Sequence, residues 1–271
     1  MPELPEVETT RRGISRALVG CTLENLEVRE NRFRWPVELP TNEIIGQRLN
    51  DVGRRGKYLL LKFERGVLLL HLGMSGHLRV VSSDAPIRTH DHIDFHFEDD
   101  KVLRFNDPRR FGSVHWCTHA VHEHPLLKRL GIEPLREEFD GTYLFEQSRK
   151  RNIAVKNFIM DAHVVVGVGN IYANEALFLA QIRPTTAAGS ISRIRFERLA
   201  DSIKLILQRA IDAGGTTLRD FVGFDGNPGY FAFELDVYGR AGMPCIHCGK
   251  RLKGIVLGQR QTVYCPACQR R

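Results

Sequence analysis

Residues 57–73 read KYLLLKFERGVLLLHLG. Two runs of three leucines flank the short polar segment ERG at 64–66. A strand with one wet face alternates apolar and polar side chains, whereas a run that is apolar throughout must be covered on both faces. The stretch therefore predicts a hairpin buried on both sides, which needs more strands and a second layer around it. On its N-terminal side, TLENLEVR (22–29) alternates apolar and polar residues, the period-2 sign of a half-buried strand. On its C-terminal side, HIDFHFEDDKVLRF (92–105) reads as another hairpin, with EDDK as the turn. So many short strands before about residue 115 predict a β-sandwich or barrel.

Upstream of the strands stands MPELPEVETTRRG (1–13). Proline is tolerated in a first helical turn, acids suit the positive end of the helix dipole, and bases suit later turns. Pro5, Glu6, Glu8, Arg11 and Arg12 follow that order, and Leu4, Val7, Ile14 and Leu18 fall on one face of a helix. This reading leaves Pro2 unexplained. Downstream, GIEPLREEFDG (131–141) combines proline, glycine and charge, and reads as a linker. Helical patterns follow to about residue 213: YLFEQSRKRNIAVKNFIMD, NIYANEALFLAQI and ISRIRFERLADSIKLILQRAID. The last is expected to place Ile194, Leu199, Ile203, Leu207 and Ile211 near one face. GGTTLRDFVGFDGNPGYFAFELDVYG (214–239) is rich in glycine and aromatics and reads as a long loop. No internal repeat or low-complexity tract interrupts the chain.

At 271 residues, with 26% charged and 42% hydrophobic residues, the chain is long enough for one large domain or two ordinary ones. No stretch approaches the roughly 18 uninterrupted apolar residues of a membrane span. The N-terminus is acidic where a signal peptide would be basic and then apolar. A cytoplasmic, reducing setting is therefore expected, and disulfides account poorly for the six cysteines. The net charge of +7 favours a polyanionic partner. From residue 245 onward Lys250, Arg251, Lys253, Arg260, Arg270 and Arg271 occur without a single acid.

That basic segment carries the strongest local motif. Cys245, Cys248, Cys265 and Cys268 form two Cys-x-x-Cys knuckles separated by 16 residues, the spacing of a structural zinc ribbon. A single Zn2+ is expected there, replacing a core too small to fold alone. Four thiolates complete the shell, which leaves His247 out of it, and Cys21 and Cys117 read as core residues of strands. VVVGVGNIYANEALF (164–178) invites a dinucleotide-binding reading, but Tyr172 stands where the third small residue belongs. What survives is a helix start at Gly167 to Asn170 whose amides suit an anion. NDPRRFG (106–112) and LGMSG (72–76) offer Arg109, Phe111 and Met74 at turns. An apolar tip and an arginine on separate turns are what a protein needs to enter a duplex, one wedging and the other replacing lost base-pair hydrogen bonds.

Taken together, MPELPEVET, RRGKYLL, HLGMSG, NDPRRFG, VVGVGNIYANE, GGTTLRDF, GNPGYF and QRQTVYC-PA-C resemble the bacterial formamidopyrimidine-DNA glycosylases, in order and along essentially the whole chain. The resemblance implies an α+β multidomain fold: a catalytic β-sandwich domain with flanking helices (1–133), a linker and start of a helical module (134–150), a helix–two-turn–helix DNA-binding domain with a lesion-recognition loop (151–240), and a zinc finger (241–271). It implies a monomer that grips double-stranded DNA containing oxidised bases or abasic sites, and a bacterial cytoplasmic, nucleoid-associated protein. It also answers the question of Pro2. Removal of Met1 would make Pro2 the N-terminus, and its secondary amine the nucleophile. Glu3 is implied as general acid/base and Glu6 as its support. Lys57 is implied to contact phosphate and assist β-elimination, and Arg260 to clamp phosphates and assist δ-elimination. Met74, Arg109 and Phe111 match the residues that fill the gap left by an everted nucleotide. His90, Arg109 and Arg151 match DNA contacts, Lys156 and Asn170 match phosphate contacts, and Arg219 and Tyr238 fall in the lesion loop. Arg219 stands where related proteins often have lysine.

Two other readings compete. A catalytically silent DNA-damage binder could use the same wedge and ribbon, but intact Pro2 and Glu3 weigh against it. An endonuclease VIII-like enzyme for oxidised pyrimidines is disfavoured by PELPEVE and by the long loop segment.

Overall fold

The computed structural model describes residues 1–214 and 235–270. Their elements in chain order are α1 (Leu4–Leu18), β1 (Leu23–Val28), α2 (Thr41–Ile44), β2 (Leu49–Arg55), β3 (Tyr58–Phe63), β4 (Val67–His71), β5 (His77–Ser82), β6 (Asp91–Phe97), β7 (Lys101–Asn106), β8 (Ser113–Cys117), α3 (Gly141–Ser148), α4 (Val155–Met160), α5 (Asn170–Leu179), α6 (Arg193–Asp212), β9 (Lys253–Leu257) and β10 (Arg260–Tyr264). The described chain divides into two compact units, one of residues 1–128 with 213–214 and the other of residues 129–212 with 235–270.

In the first unit, two antiparallel four-stranded sheets run in the orders β1-β6-β7-β5 and β2-β3-β4-β8. The leucine-rich hairpin is β3–β4, paired Tyr58 to His71 through Lys62 to Val67. Leu59, Leu61, Leu68, Leu69 and Leu70 have no exposed surface, and Leu60 retains 9%. Both faces are covered, as the unbroken apolar runs require. One core joins the two sheets with Val7, Ile14 and Leu18 of α1. The β6–β7 hairpin turns at Asp99 and Asp100, both in the left-handed region (φ 58° and 61°), where acids and asparagines are tolerated better than most residues.

Two local expectations are corrected. In β1 only Leu23 and Leu26 are buried, three residues apart instead of two. A bulge between Leu23 and Asn25 shifts the register against β6, and the inserted residue moves the inward phase by one. In α6, Ile194 is 70% exposed, whereas Phe196, Leu199, Ile203, Leu207 and Ile211 are buried. At about 100° per residue Ile194 points nearly opposite that face, and Phe196 takes the place assigned to it.

In the second unit α3 and α5 pack on α6, α4 packs on α5, and β10 lies against α5. Val164 to Val168 are buried without forming a strand, and Val165 makes only an isolated parallel bridge to Ile132. The described residues thus hold no parallel sheet for a dinucleotide fold. Within the stretch read as a linker, Phe139 is fully buried and Asp140 caps α3, accepting the Tyr143 N–H at 2.7 Å. The β9–β10 hairpin turns at Gly258 and Gln259 (φ 55° and 60°). Its small core comprises Phe178, Val237, Leu252 and Val263 with Cys245 and Cys265.

Candidate active site

Helix α1 starts two residues after Pro2. Glu3 is its N-cap, and the Glu3 carboxylate accepts the backbone N–H of Glu6 while the Glu6 carboxylate accepts that of Glu3, at 2.9 Å. Pro2, Glu3 and Glu6 are all buried. Both acids therefore serve the helix start and also fix the chain beside Pro2. The turn between β2 and β3 carries Lys57, and its backbone is tied to the same helix. The Arg54 guanidinium donates to the carbonyl of Gly56 at 2.8 Å and to Glu8 of α1 at 3.1 Å, and Arg11 donates to Glu8 at 2.8 Å. Burial alone would raise the Glu8 carboxyl, but Arg11 and Arg54 outweigh it and hold it below its ordinary value. Glu8 thereby links the mount of Pro2 and Glu3 to the turn of Lys57, a role its helix position did not disclose.

Met74 lies in the turn between β4 and β5, and Arg109 and Phe111 in the loop between β7 and β8. The structure brings these turns together. A side chain at Gly73, which has φ +65°, would meet the Phe111 carbonyl carbon and the Gly112 nitrogen at 2.5 Å. The Arg109 guanidinium lies over the Phe111 ring, 4.9 Å from its centroid, and Phe111 is 44% exposed. His90, also exposed and with φ 72°, accepts the Asp107 N–H on its carbonyl at 3.1 Å. His71 was not picked out from the sequence. Its Nδ1 accepts the Gly73 N–H at 3.0 Å, and its ring packs on Tyr58 with centroids 4.7 Å apart. Burial, then the nearby Lys57 and Arg34 cations, lower this imidazole to about 4.

In the second unit, α5 opens at Asn170 with Gly169 as its N-cap. The Asn170 amide donates to the carbonyl of Gln261 at 3.2 Å. Lys156 is placed differently from a surface phosphate contact. It is fully buried, and its ammonium donates to Asn170 Oδ1 (2.6 Å), Thr262 Oγ1 (2.6 Å) and the Gln261 carbonyl (3.1 Å). Three donors meet three acceptors, so Lys156 pins α4, the start of α5 and β10 to one another. Arg260 follows the hairpin turn and is exposed. Arg151 stacks on Phe158, 5.5 Å from the ring centroid, and lies 3.7 Å from the Asp161 carboxylate. Tyr238 donates its N–H to Glu175 at 2.8 Å, as do Asp236 and Val237 at 2.9 and 3.0 Å. Burial raises the Glu175 carboxyl although these three amides oppose it. Arg219 lies outside the described residues.

The four ribbon cysteines present their sulfurs within 4.8 Å of one another. Cys245 and Cys268 are 3.9 Å apart, and Cys248 and Cys265 are 3.5 Å apart. A tetrahedral zinc ion with Zn–S bonds near 2.3 Å sets its sulfurs about 3.8 Å apart, so the donor set fits zinc, whereas a disulfide needs about 2.05 Å. Burial would raise the Cys265 thiol, but the Cys268 and Ala267 amides outweigh it and bring it to about 7. His247 stands apart from the shell and stacks on Phe178, with centroids 5.0 Å apart. A second cluster, Glu27, Asp94 and His96, does not suit a divalent ion, because Arg29 and Arg104 already donate to Asp94.

Fold and site together define a protein with a four-cysteine ribbon suited to zinc, a proline–glutamate pair mounted at the head of α1, and two turns, at Met74 and at Arg109–Phe111, brought together. Family models agree: the formamidopyrimidine-DNA glycosylase N-terminal domain matches residues 1–114, its H2TH domain 130–222, and the zinc finger found in FPG and IleRS 242–271. Formamidopyrimidine-DNA glycosylases of Thioalkalivibrio sulfidiphilus and Stenotrophomonas maltophilia are 57% and 56% identical to this chain, with full coverage of both partners. Among solved structures, the Lactococcus lactis Fpg in complex with abasic-site DNA superposes with a TM-score of 0.92 at 35% identity, covering 99% of this chain and all of that one. The Thermus thermophilus MutM (Fpg) protein gives 0.88 at 37% identity, covering 99% and 98%. The chain belongs to the formamidopyrimidine-DNA glycosylase family.

Proposed function

We propose that this protein is a bifunctional glycosylase and abasic-site lyase that removes 8-oxoguanine and formamidopyrimidines from duplex DNA and then cuts the strand. The observation that carries the reading is the mutual capping of Glu3 and Glu6, which fixes Pro2 at the head of a rigid helix in a chain of this family. The Lactococcus lactis relatives were solved with DNA containing an abasic site or Fapy-dG, which supports damaged duplex DNA as the substrate. Of the division into a catalytic domain (1–133), linker (134–150), helical module (151–240) and zinc finger (241–271), the zinc-finger match at 242–271 supports the last boundary; the N-terminal match ends at residue 114, and the H2TH match runs from 130 to 222, through the stretch assigned to a linker. No described helix is long and apolar enough to cross a membrane; a monomer acting in the cytoplasm, on the nucleoid, fits that finding.

The chemistry follows from the amine. With Met1 removed, Pro2 carries a secondary amine, and an α-amino group titrates near pH 8, so a useful fraction is unprotonated at neutral pH. Its lone pair attacks sugar C1′, the N-glycosidic bond breaks, and the base leaves with the bonding electrons. Glu3 supplies and removes the protons that open the sugar ring. The product is an iminium ion with no N–H proton to lose, so it stays cationic and draws electrons from the adjacent carbon. Loss of the C2′ proton then expels the 3′ phosphate, and a second elimination expels the 5′ phosphate. Lys57 and Arg260 steady those phosphates, and Asn170, held by Lys156, contacts the backbone beside them. Met74, Arg109 and Phe111 occupy the gap left by the everted nucleotide, with His90 and Arg151 contacting the DNA nearby.

Borohydride added during turnover of 8-oxoguanine duplex is expected to reduce the iminium and leave DNA covalently attached to the N-terminal peptide. Acetylating that terminus should abolish both trapping and nicking. An active protein that yields no adduct, or stays active after acetylation, would overturn the mechanism.

A further inference from the structure

The three wedge residues come from two loops that join strands of different sheets. Met74 sits between β4 and β5, and Arg109 and Phe111 sit between β7 and β8. Neither loop is stiff by composition, since each contains glycine, and the tips are half-buried at Met74 and exposed at Arg109 and Phe111. Filling the space of an everted nucleotide nevertheless requires the tips to hold a fixed separation, because a misplacement of about 1 Å costs roughly 10²-fold in rate.

One side chain bridges both loops. Asp107 has no exposed surface. Its Oδ1 accepts the Ser75 hydroxyl at 2.8 Å and the Arg109 N–H at 3.3 Å, and its Oδ2 accepts the Gly112 N–H at 2.8 Å. Ser75 is adjacent to Met74, and Arg109 and Gly112 bracket Phe111. The Asp107 backbone is fixed as well: its N–H donates to the His90 carbonyl at 3.1 Å, and its carbonyl lies 3.1 Å from His92 Nε2. The Arg109 N–H reaches Ser75 Oγ too, at 3.3 Å, which closes the loop-to-loop bond directly. A buried carboxylate with no cation among its described partners, and with three donors from two turns, is costly for stability alone. Its return is geometry.

We propose that Asp107 is a positioning residue that holds the Met74 tip and the Arg109–Phe111 tip at the separation needed to fill the void in the duplex. This rests on the glycosylase reading given above. Asparagine in its place keeps one acceptor oxygen but turns an NH2 toward the other donors. The Ser75 hydroxyl can rotate to accept from it, whereas the Arg109 or Gly112 N–H cannot. Asp107→Asn should therefore loosen the tips while leaving the side-chain volume unchanged.

The test uses the full-length protein and two substrates. On duplex carrying 8-oxoguanine, Asp107→Asn should lower the single-turnover excision rate about 10- to 10²-fold. On single-stranded DNA with a preformed abasic site, which leaves no void to fill, nicking should change less than about twofold. A 2-aminopurine placed opposite the lesion should brighten when wild type binds an uncleavable duplex, and brighten much less with the variant. Ser75→Ala, which removes the hydroxyl's bonds to Asp107 and to the Arg109 N–H at a half-buried site but leaves the Asp107 bonds to Arg109 and Gly112, should show the same pattern more weakly. In a Met74→Ala, Phe111→Ala background the Asp107→Asn effect on excision should vanish, because the residue acts through those tips.

Equal loss on both substrates, an unchanged 2-aminopurine signal, or additivity in the double background would overturn the inference. A wild-type protein that leaves 8-oxoguanine untouched would instead overturn the glycosylase reading.

Discussion

His71 shows how one half-buried side chain can join a strand to the Met74 turn. Its Nδ1 accepts the Gly73 N–H, which a protonated imidazole cannot do. Burial, reinforced by Lys57 and Arg34, brings the folded value to about 4 from an ordinary 6.5. Above pH 6.5 the ring is neutral in both folded and unfolded chains and costs nothing. As pH falls from 6.5 toward 4 the unfolded chain takes up a proton that the folded one refuses, so stability falls, and below 4 the loss stops growing. The full loss from this group is on the order of 3 kcal/mol. His77, His92, His115 and His124 are also lowered by burial, so the wild-type loss includes theirs. His71→Asn keeps an acceptor near the Nδ1 position and removes the titration. The fall in Tm between pH 6.5 and 4 should be smaller in this variant, as followed by thermal unfolding across that range; an identical fall would mean that His71 is not held neutral.

At the scale of elements, α6 organises the helical unit, and its phase decides which substitutions matter. Phe196 is buried and makes an edge contact with Phe158, with ring centroids 6.0 Å apart, whereas Ile194 is 70% exposed. Phe196→Ala should cost about 3–5 kcal/mol, and Ile194→Lys should stay within about 0.5 kcal/mol. Urea midpoints of the helical unit would check both, and a costly Ile194→Lys would contradict the observed phase. The helix itself was legible in the sequence, and so were α1, the double-buried hairpin and the cysteine pairs. The phase of α6 was not, because five aliphatic residues at mixed spacing fit more than one face until a partner selects one. The bulge in β1 is set by pairing with β6, and its one trace in TLENLEVR is the consecutive Glu24 and Asn25, which break the alternation where the register shifts.

On the whole-molecule scale, the sheet unit and the ribbon within the second unit hold their cores by different means. The sheet unit has a large apolar core, while the ribbon has a handful of apolar residues and four converging thiols. Stripping zinc with a chelator at neutral pH should unfold the ribbon and abolish duplex binding, while the cooperative transition of the sheet unit stays in place. Far-UV circular dichroism and a DNA mobility shift on the same sample would show this. Retention of tight binding by metal-free protein would remove the structural role given to the ion.

The residues proposed to carry the chemistry were legible in the chain alone. Pro2 next to Glu3, two knuckles at zinc spacing, and Met74, Arg109 and Phe111 at glycine turns are local facts, because covalent neighbours and short spacings need no folding to be read. What only tertiary structure decided is which groups stand behind them. Asp107 joins loops 32 residues apart at Ser75, Lys156 reaches Thr262 across 106 residues, and Glu8 meets Arg54 across 46. Such partners are chosen by packing and by the need of every buried polar group for a hydrogen bond, and that need is met only once the chain has closed on itself.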